Sequence, residues 1–149
     1  MENKHPSVAV LLSAYNGMKW IEEQVESILS QKNILVEIFI SVDLSNDKTH
    51  EWCQDFARER DDIIVLPYGE KFGGAAKNFF RLIRDVDFSH FDYVALADQD
   101  DIWDSNKLYH AIKVIKQDNL DGYSSNVIAF WSNGREKLVK KSFPQKKLD

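Results

Sequence analysis

With a single cysteine, Cys53, among its 149 residues, the chain can form neither an internal disulfide nor a cage of thiolate ligands. That usage suits a reducing compartment. Three prolines and six glycines are too few for a linker or a low-complexity segment. No apolar run approaches the ~18 residues of a membrane span. The opening Met1-Glu2-Asn3-Lys4-His5-Pro6 lacks the apolar stretch of a secretory leader, so the expected location is the cytoplasm. The four histidines, His5, His50, His90 and His110, fall at no metal-ligand spacing, which argues against a structural zinc site, and the last three read as surface positions. Basic charge is scarce as well. The net charge is −5, and positions 135–149 alone hold six Lys/Arg against two Asp/Glu, which leaves the rest of the chain strongly acidic. An acidic body with a short basic tail is a poor clamp for nucleic acid, because phosphate contacts need a basic face. What is present is 44% hydrophobic and 29% charged, in a length that suits one domain with a real core.

Periodicity supplies the architecture. Val8 to Ser13 is a continuous apolar run too short for a helix, as a fully buried parallel strand reads. It ends in the polar turn Tyr15-Asn16-Gly17, and Ile21, Val25, Ile28 and Leu29 then fall on one helical stripe, predicting a helix from about Lys19 to Gln31. Leu35 to Val42 is a second strand, rich in β-branched and aromatic residues. Ser45, Asn46 and Asp47 offer caps for the next helix, which carries Trp52, Cys53, Phe56 and Ala57 on one side. Cys53 reads there as a buried, inert thiol. Ile63 to Leu66 is a third, short strand. Phe79, Phe80, Leu82, Ile83 and Val86 mark a third helix, Tyr93 to Ala97 a fourth strand, and Lys107 to Lys116 a fourth helix. Regular alternation of strand and helix implies a doubly wound α/β fold, an open parallel sheet with right-handed crossovers. The chain end differs: Tyr123 to Ser132 and Glu136 to Phe143 flank Asn133-Gly134, a strong hairpin signal.

Ligands of open α/β sheets bind outside the carboxyl ends of the strands. Here the first strand presents Ser13, Tyr15 and Asn16, the second Asp43 and Ser45, and the fourth Asp98, Asp100 and Asp101. Carboxylates crowded in this way repel one another unless a hard cation neutralises them. The spacing Asp98-x-Asp100 suits Mg²⁺ or Mn²⁺ held with substrate phosphate oxygens completing the shell. The plainer reading is that Asp101 or Asp104 caps the following helix. Gly73-Gly74 before the third helix, with Lys77 in its first turn, would favour an anion or simply turn the chain. It matches neither common glycine-rich nucleotide motif. Tyr15 can stack on a planar base or pack, and Trp103 beside the acidic cluster carries the same two readings.

The motifs VLLSAYNG (10–17), SILSQ (27–31), SVDLSNDKT (41–49), KFGGAAKNF (71–79) and ALADQDDIWDSNKL (95–108), in this order, resemble the family 2 glycosyltransferases. These are inverting enzymes with a Rossmann-like GT-A fold, and the last motif is especially similar to the rhamnosyltransferase subgroup. The resemblance implies donor nucleotide-sugar binding by Ser13, Tyr15, Asp43, Lys77 and Asp98. Ser13 and Tyr15 would border the base, Asp43 would hydrogen-bond it, and Lys77 would lie in the segment near the diphosphate. It further implies a DXD motif, Asp98-Gln99-Asp100, whose Asp100, with Asp98, holds Mg²⁺ or Mn²⁺. Two departures stand out. The family's DDGSxDGT appears as Val42-Asp43-Leu44-Ser45-Asn46-Asp47-Lys48-Thr49, without the first Asp and both glycines. No residue downstream of Asp100 matches the acceptor-side general base, since Glu136 is the only acid between Asp121 and Asp149. The expectation is a single nucleotide-sugar-binding domain over 1–149 without the acceptor part. It would belong to a metal-dependent transferase moving a hexose or deoxyhexose onto a polysaccharide or lipid-linked acceptor. The rival is a non-catalytic nucleotide-sugar-binding or interaction module. The basic tail offers peripheral contact with an anionic membrane.

Overall fold

In the computed structural model, residues 5–140 are described, and they fall into two compact units that divide after Tyr109. The first contains β1 (Ser7–Ala14), α1 (Ile21–Leu29), β2 (Leu35–Val42), α2 (Thr49–Ala57), β3 (Ile63–Val65), α3 (Ala75–Asp85), β4 (Tyr93–Asp98) and the start of α4 (Lys107–Asp118). The four strands are all parallel, in the order β3-β2-β1-β4, so the expected open α/β sheet with flanking helices is present. Among the described residues β1 is the one strand of eight residues paired on both sides over most of its length, which explains its run of apolar residues on both faces. Every residue from Val8 to Ala14 is buried.

One face of the sheet builds a core from Ala9, Leu11 and Phe39 against Leu82 and Val86 of α3, with Phe79, Phe88 and Phe91 packed around it. Phe39 and Phe91 meet edge to face at 5.9 Å. Here the sequence expectation needs a correction: Phe80 and Ile83 do not join the core but are 70% and 46% exposed. α3 is rotated so that Asn78 and Arg81 face the sheet instead. The Asn78 amide donates to the carbonyl of Ser41 at 2.9 Å, and Arg81 donates to Ser41 Oγ at 3.0 Å and to the carbonyl of Pro67 at 2.6 Å. Satisfying polar groups at the end of β2 outweighs burying two more apolar side chains, because an orphaned buried amide costs about as much as a lost hydrogen bond.

The other helices follow expectation with adjusted ends. α1 is shorter than Lys19 to Gln31 by two residues at each terminus, with the Gly17 carbonyl accepting from the amides of Trp20 and Ile21 as the helix starts. Its stripe of Ile21, Val25 and Ile28 is fully buried. Cys53 on α2 is buried, and burial foremost pushes its thiol up to about 12, so it is inert at neutral pH. His50 is a second correction. It is half-buried rather than a surface residue, stacked on Tyr68 at 3.9 Å between centroids, and its Nε2 has no partner among the described residues.

In the second unit β5 (Val127–Phe130) and β6 (Glu136–Val139) form the expected antiparallel hairpin, shorter than the sequence suggests. The loop closes with the Trp131 amide donating to the Arg135 carbonyl at 2.9 Å and Gly134 at φ 79°, a left-handed position that glycine adopts without strain. The expected strand end at Phe143 and the rest of the basic tail lie outside the described residues.

Leu11 and Leu96 are register partners on neighbouring strands and share a face, so they contrast the centre of the sheet with its edge. Leu11→Ala should lower unfolding free energy in urea by about 2–5 kcal/mol through cavity formation. Leu96→Ala, on a residue 56% exposed, should change it by no more than about 0.5 kcal/mol.

Candidate functional site

The strand register places the chemistry. Ser13 of β1 lies opposite Ser41 of β2 and Asp98 of β4, so three polar residues form a row across the carboxyl edge of the sheet. Beyond this row the ladder ends and the loops begin, and their peptide groups find partners in side chains from distant segments. Four consecutive amides of the β1–α1 loop show this. The N–H of Tyr15 donates to Gln99 Oε1 at 2.7 Å, that of Asn16 to Ser45 Oγ at 3.0 Å, that of Gly17 to Thr49 Oγ1 at 2.7 Å, and that of Met18 to Asp47 Oδ2 at 3.1 Å. Ser45, Asp47 and Thr49 therefore hold the neighbouring loop, and Asp47 also accepts from the Thr49 amide at the start of α2.

Asp43 is 4% exposed, and its carboxylate reaches across to the glycine-rich segment. Oδ1 accepts from the amides of Leu44 and Phe72 at 2.8 and 2.7 Å, and Oδ2 from the amide of Gly73 at 2.8 Å. Burial acts to raise its pKa, but the amides of Phe72, Gly73, Leu44 and Gly74 outweigh it and hold the carboxyl below its ordinary value. The segment before α3 thus already has an anion at its amides, and that anion is Asp43. Gly73, at φ 74°, adopts the conformation that aims these amides inward.

On the opposite wall polar residues of α1 and of the turn that follows it hold the acidic segment. Gln24 Nε2 donates to the Asp98 carbonyl at 2.8 Å, and Ser27 Oγ accepts from the Trp103 amide at 3.0 Å. Gln31 donates to the Asp104 carbonyl at 2.7 Å and accepts from the Leu108 amide at 2.9 Å. Trp103 is buried, with the Lys107 ammonium 4.8 Å from its ring centroid, and so packs beneath the turn. Asp104 Oδ1 accepts from the Asn106 amide at 2.9 Å just before α4, as a capping residue would.

Between these walls lies a cleft of about 430 Å³ lined by Ser13, Tyr15, Asp43, Gly73, Asp98 and Asp100, with Lys71 and Asn78 also contributing. Five of the six expected site residues are therefore brought together. Lys77 is exposed and does not line the cleft, whereas Lys71 does. The Tyr15 side chain is 54% exposed. Burial raises the pKa of Asp98, and Asp101 and Asp100 add repulsion. Asp101 is likewise raised, by burial first, with Lys107 opposing and Asp100 adding to the shift. Asp98 lines the cleft and Asp101 does not; both residues remain exposed, and partial desolvation without a sufficient counter-charge raises both. Among the described residues no set of three or more His, Cys, Asp or Glu side chains gathers as a metal site. Asp98 and Asp100 thus fit a hard cation only if a bound ligand supplies oxygens for the rest of its shell.

Sequence reasoning missed Gln99, Gln24 and Asn78 as parts of the site. Gln24 and Asn78 sit on helical faces whose neighbours are apolar, and a polar residue within a buried stripe is the signal that could have found them.

Over residues 9–147 the chain matches the family described as Glycosyl transferase family 2. It is 48% identical over 139 residues to the dTDP-rhamnosyl transferase RfbG of Shigella flexneri, an alignment covering 93% of this chain and 48% of that protein. It is 33% identical over 109 residues to the putative teichuronic acid biosynthesis glycosyltransferase TuaG of Bacillus subtilis, covering 72% of this chain and 41% of that one. The chain thus spans about half the length of these relatives, or less. Among solved structures, S. aureus TarS 1-349 superposes with a TM-score of 0.63 at 20% identity, over 93% of this chain and 38% of its own. TarS 1-349 in complex with UDP-GlcNAc gives a TM-score of 0.61 at 22% identity, over 74% of this chain and 31% of its own. These likenesses show the GT-A fold.

Two substitutions separate the amide-bound carboxylate from the one without amide partners among the described residues. A depressed pKa means that Asp43 contributes stability above its ordinary pKa of 3.8 and loses it as pH falls through the folded value. Asp43→Ala should therefore lower the melting temperature at pH 7, by about 1–3 kcal/mol of unfolding free energy, with a deficit that narrows in acid. For Asp98, a raised pKa means that the ionised form opposes folding. Asp98→Asn should raise the melting temperature at pH 7, and the gain should fade as pH falls through the folded value and vanish below 3.8. Melting curves from pH 3 to pH 8 check both signs.

Proposed function

The chain belongs to glycosyl transferase family 2, and from that membership and the cleft we propose that it forms the donor-binding part of a sugar transferase. The donor in this reading is a nucleoside diphosphate sugar, and the 48% identity to a dTDP-rhamnosyl transferase favours a deoxyhexose carried on dTDP. The observation that carries the reading is the union, in one cleft, of an exposed aromatic ring at Tyr15 with the carboxylates of Asp98 and Asp100. A planar base needs the first and a cation-bridged diphosphate needs the second.

Each residue then has a task. Tyr15 presents its ring to the base, with Ser13 at the floor beside it. Asp43 borders the base region while fixing the glycine-rich segment, so its contribution to the nucleotide comes largely through the position of Phe72 and Gly73. The stretch from Lys71 to Lys77 approaches the diphosphate, with Lys71 at the cleft wall. Asp98 and Asp100 would hold Mg²⁺ or Mn²⁺, which when bound neutralises the diphosphate and stabilises the charge that develops on the leaving nucleoside diphosphate. Leu44 and Lys48 replace the family's glycines and thicken the loop beside the base. The acceptor in this reading is a saccharide or a lipid-linked saccharide. No helix of the described residues is long and apolar enough to cross a membrane; in this reading the basic tail offers peripheral contact with an anionic membrane that carries a lipid-linked acceptor.

Inversion at the anomeric carbon needs a general base on the acceptor hydroxyl. Of the carboxylates lining the cleft, Asp43 is committed to amides, and Asp98 and Asp100 are assigned to the cation. That absence of an uncommitted carboxylate among the lining residues favours a second reading, in which the chain binds the donor without transferring its sugar.

Calorimetry with dTDP, UDP and GDP in the presence of Mn²⁺ tests the cleft directly. dTDP should bind, and EDTA or Asp100→Ala should weaken it at least about tenfold. No heat with any of the three, with or without Mn²⁺, rejects the assignment. Transfer of labelled rhamnose from dTDP-rhamnose to a saccharide acceptor supports the enzyme reading, whereas intact binding without transfer selects the non-catalytic one.

A further inference from the structure

Gln99 stands between the two carboxylates assigned to the cation, yet its side chain turns away from them. Its amide makes two hydrogen bonds to one residue 84 positions earlier: Oε1 accepts from the Tyr15 N–H at 2.7 Å, and Nε2 donates to the Tyr15 carbonyl at 2.8 Å. The β1–β4 ladder ends at the pair Ser13 and Asp98. Beyond it the main chains separate, and the Gln99 amide continues the pairing by imitating a peptide group of the missing strand partner. Its own backbone is held from the other side, since Gln24 pins the Asp98 carbonyl at 2.8 Å. Space for this contact comes from Gly17, where an added Cβ would lie 2.2 Å from Gln99 Oε1 and 2.7 Å from its Cδ.

We infer that Gln99 is the positioning residue that fixes the Tyr15 ring at a set distance from Asp98 and Asp100, and that Gly17 is required to leave room for it. Both hydrogen bonds go to the backbone of Tyr15, so the ring stays free to meet a ligand while its origin is held. In the donor-binding reading, on which this inference rests, the nucleotide lies between ring and carboxylates, its base toward the Tyr15 ring and its diphosphate toward the carboxylates of the same cleft. Gln99 would therefore govern recognition of the nucleoside and leave the cation-bridged diphosphate alone.

The test uses two probes, dTDP and inorganic pyrophosphate, each titrated with Mn²⁺ into the full chain. Gln99→Ala should weaken dTDP roughly tenfold while leaving pyrophosphate within about twofold. Gly17→Ala should weaken dTDP to a similar extent, and the double variant should bind no worse than Gln99→Ala, because the clash has lost its target. Should Gln99→Ala melt too readily for titration, Gln99→Met preserves volume without either polar atom and carries the same expectations. Amide exchange adds a readout that needs no ligand: the Tyr15 N–H should be protected in the parent and exchange faster in either Gln99 variant. Unchanged dTDP affinity, equal weakening of both probes, additive losses in the double variant, or unaltered exchange at Tyr15 would each overturn the inference. A parent chain that binds neither probe would instead reject the donor-binding reading and this inference with it. A parent that binds both while the variants behave identically to it would reject the inference alone.

Discussion

The architecture of the cleft depends on four successive peptide N–H groups, those of Tyr15, Asn16, Gly17 and Met18, each captured by a side chain from another part of the chain. A strand buried on both faces must end somewhere, and where it ends its amides need new acceptors. Ser45, Asp47 and Thr49 supply three of them, so the segment after β2 acts as a template for the segment after β1. That template sets where α1 begins. Through Gln24 and Ser27, and Gln31 just beyond its end, α1 in turn holds the backbone from Asp98 to Leu108. The position of the acidic turn is thus inherited, step by step, from hydroxyl and carboxylate groups well removed from it in sequence.

The carboxylates at the sheet edge divide by what surrounds them. Against the effect of burial, amide donors depress the pKa of Asp43, and the Thr49 hydroxyl followed by backbone amides depresses that of Asp47. They are internal anions whose charge is already satisfied. Asp98 and Asp101 experience burial and mutual repulsion, and their pKa values rise. Folding tolerates this second group at a cost in stability, and such a cost is common where charge is reserved for a ligand. Cys53 and His50 show that burial alone does not make a site: the thiol is protonated and enclosed, and the imidazole stacks on Tyr68 away from the cleft-lining residues.

Periodicity made most of the fold legible. The strands, the helices, the parallel order and the C-terminal hairpin follow from apolar runs and stripes that depend on near neighbours in sequence. The rotation of α3 was not legible, because an apolar pattern of Phe79, Phe80, Leu82, Ile83 and Val86 is satisfied by more than one angle about the helix axis. Asn78 and Arg81 chose the angle by reaching Ser41, a contact across 37 to 40 positions. Likewise, Ser45, Asn46 and Asp47 read as helix caps, since that is the local use of such residues, while three of their bonds run to a loop about 30 positions earlier. The acidic residues of the cleft were visible because strand ends converge on one edge. The residues that position them were not, because a glutamine within a motif carries no sign of which backbone it will meet.

The paired amide contact between Gln99 and Tyr15 joins two uncharged groups. Neither partner changes protonation in the range where Asp98 and Asp101 do, and neither is sensitive to added salt in the way that an ion pair would be. The position of the Tyr15 side of the cleft and the charge of the acidic turn are therefore carried by separate sets of atoms. Acidification through the range of Asp98 and Asp101, or screening, can mute the attraction for a cation while that side keeps its outline. Restoring the charge requires no refolding there.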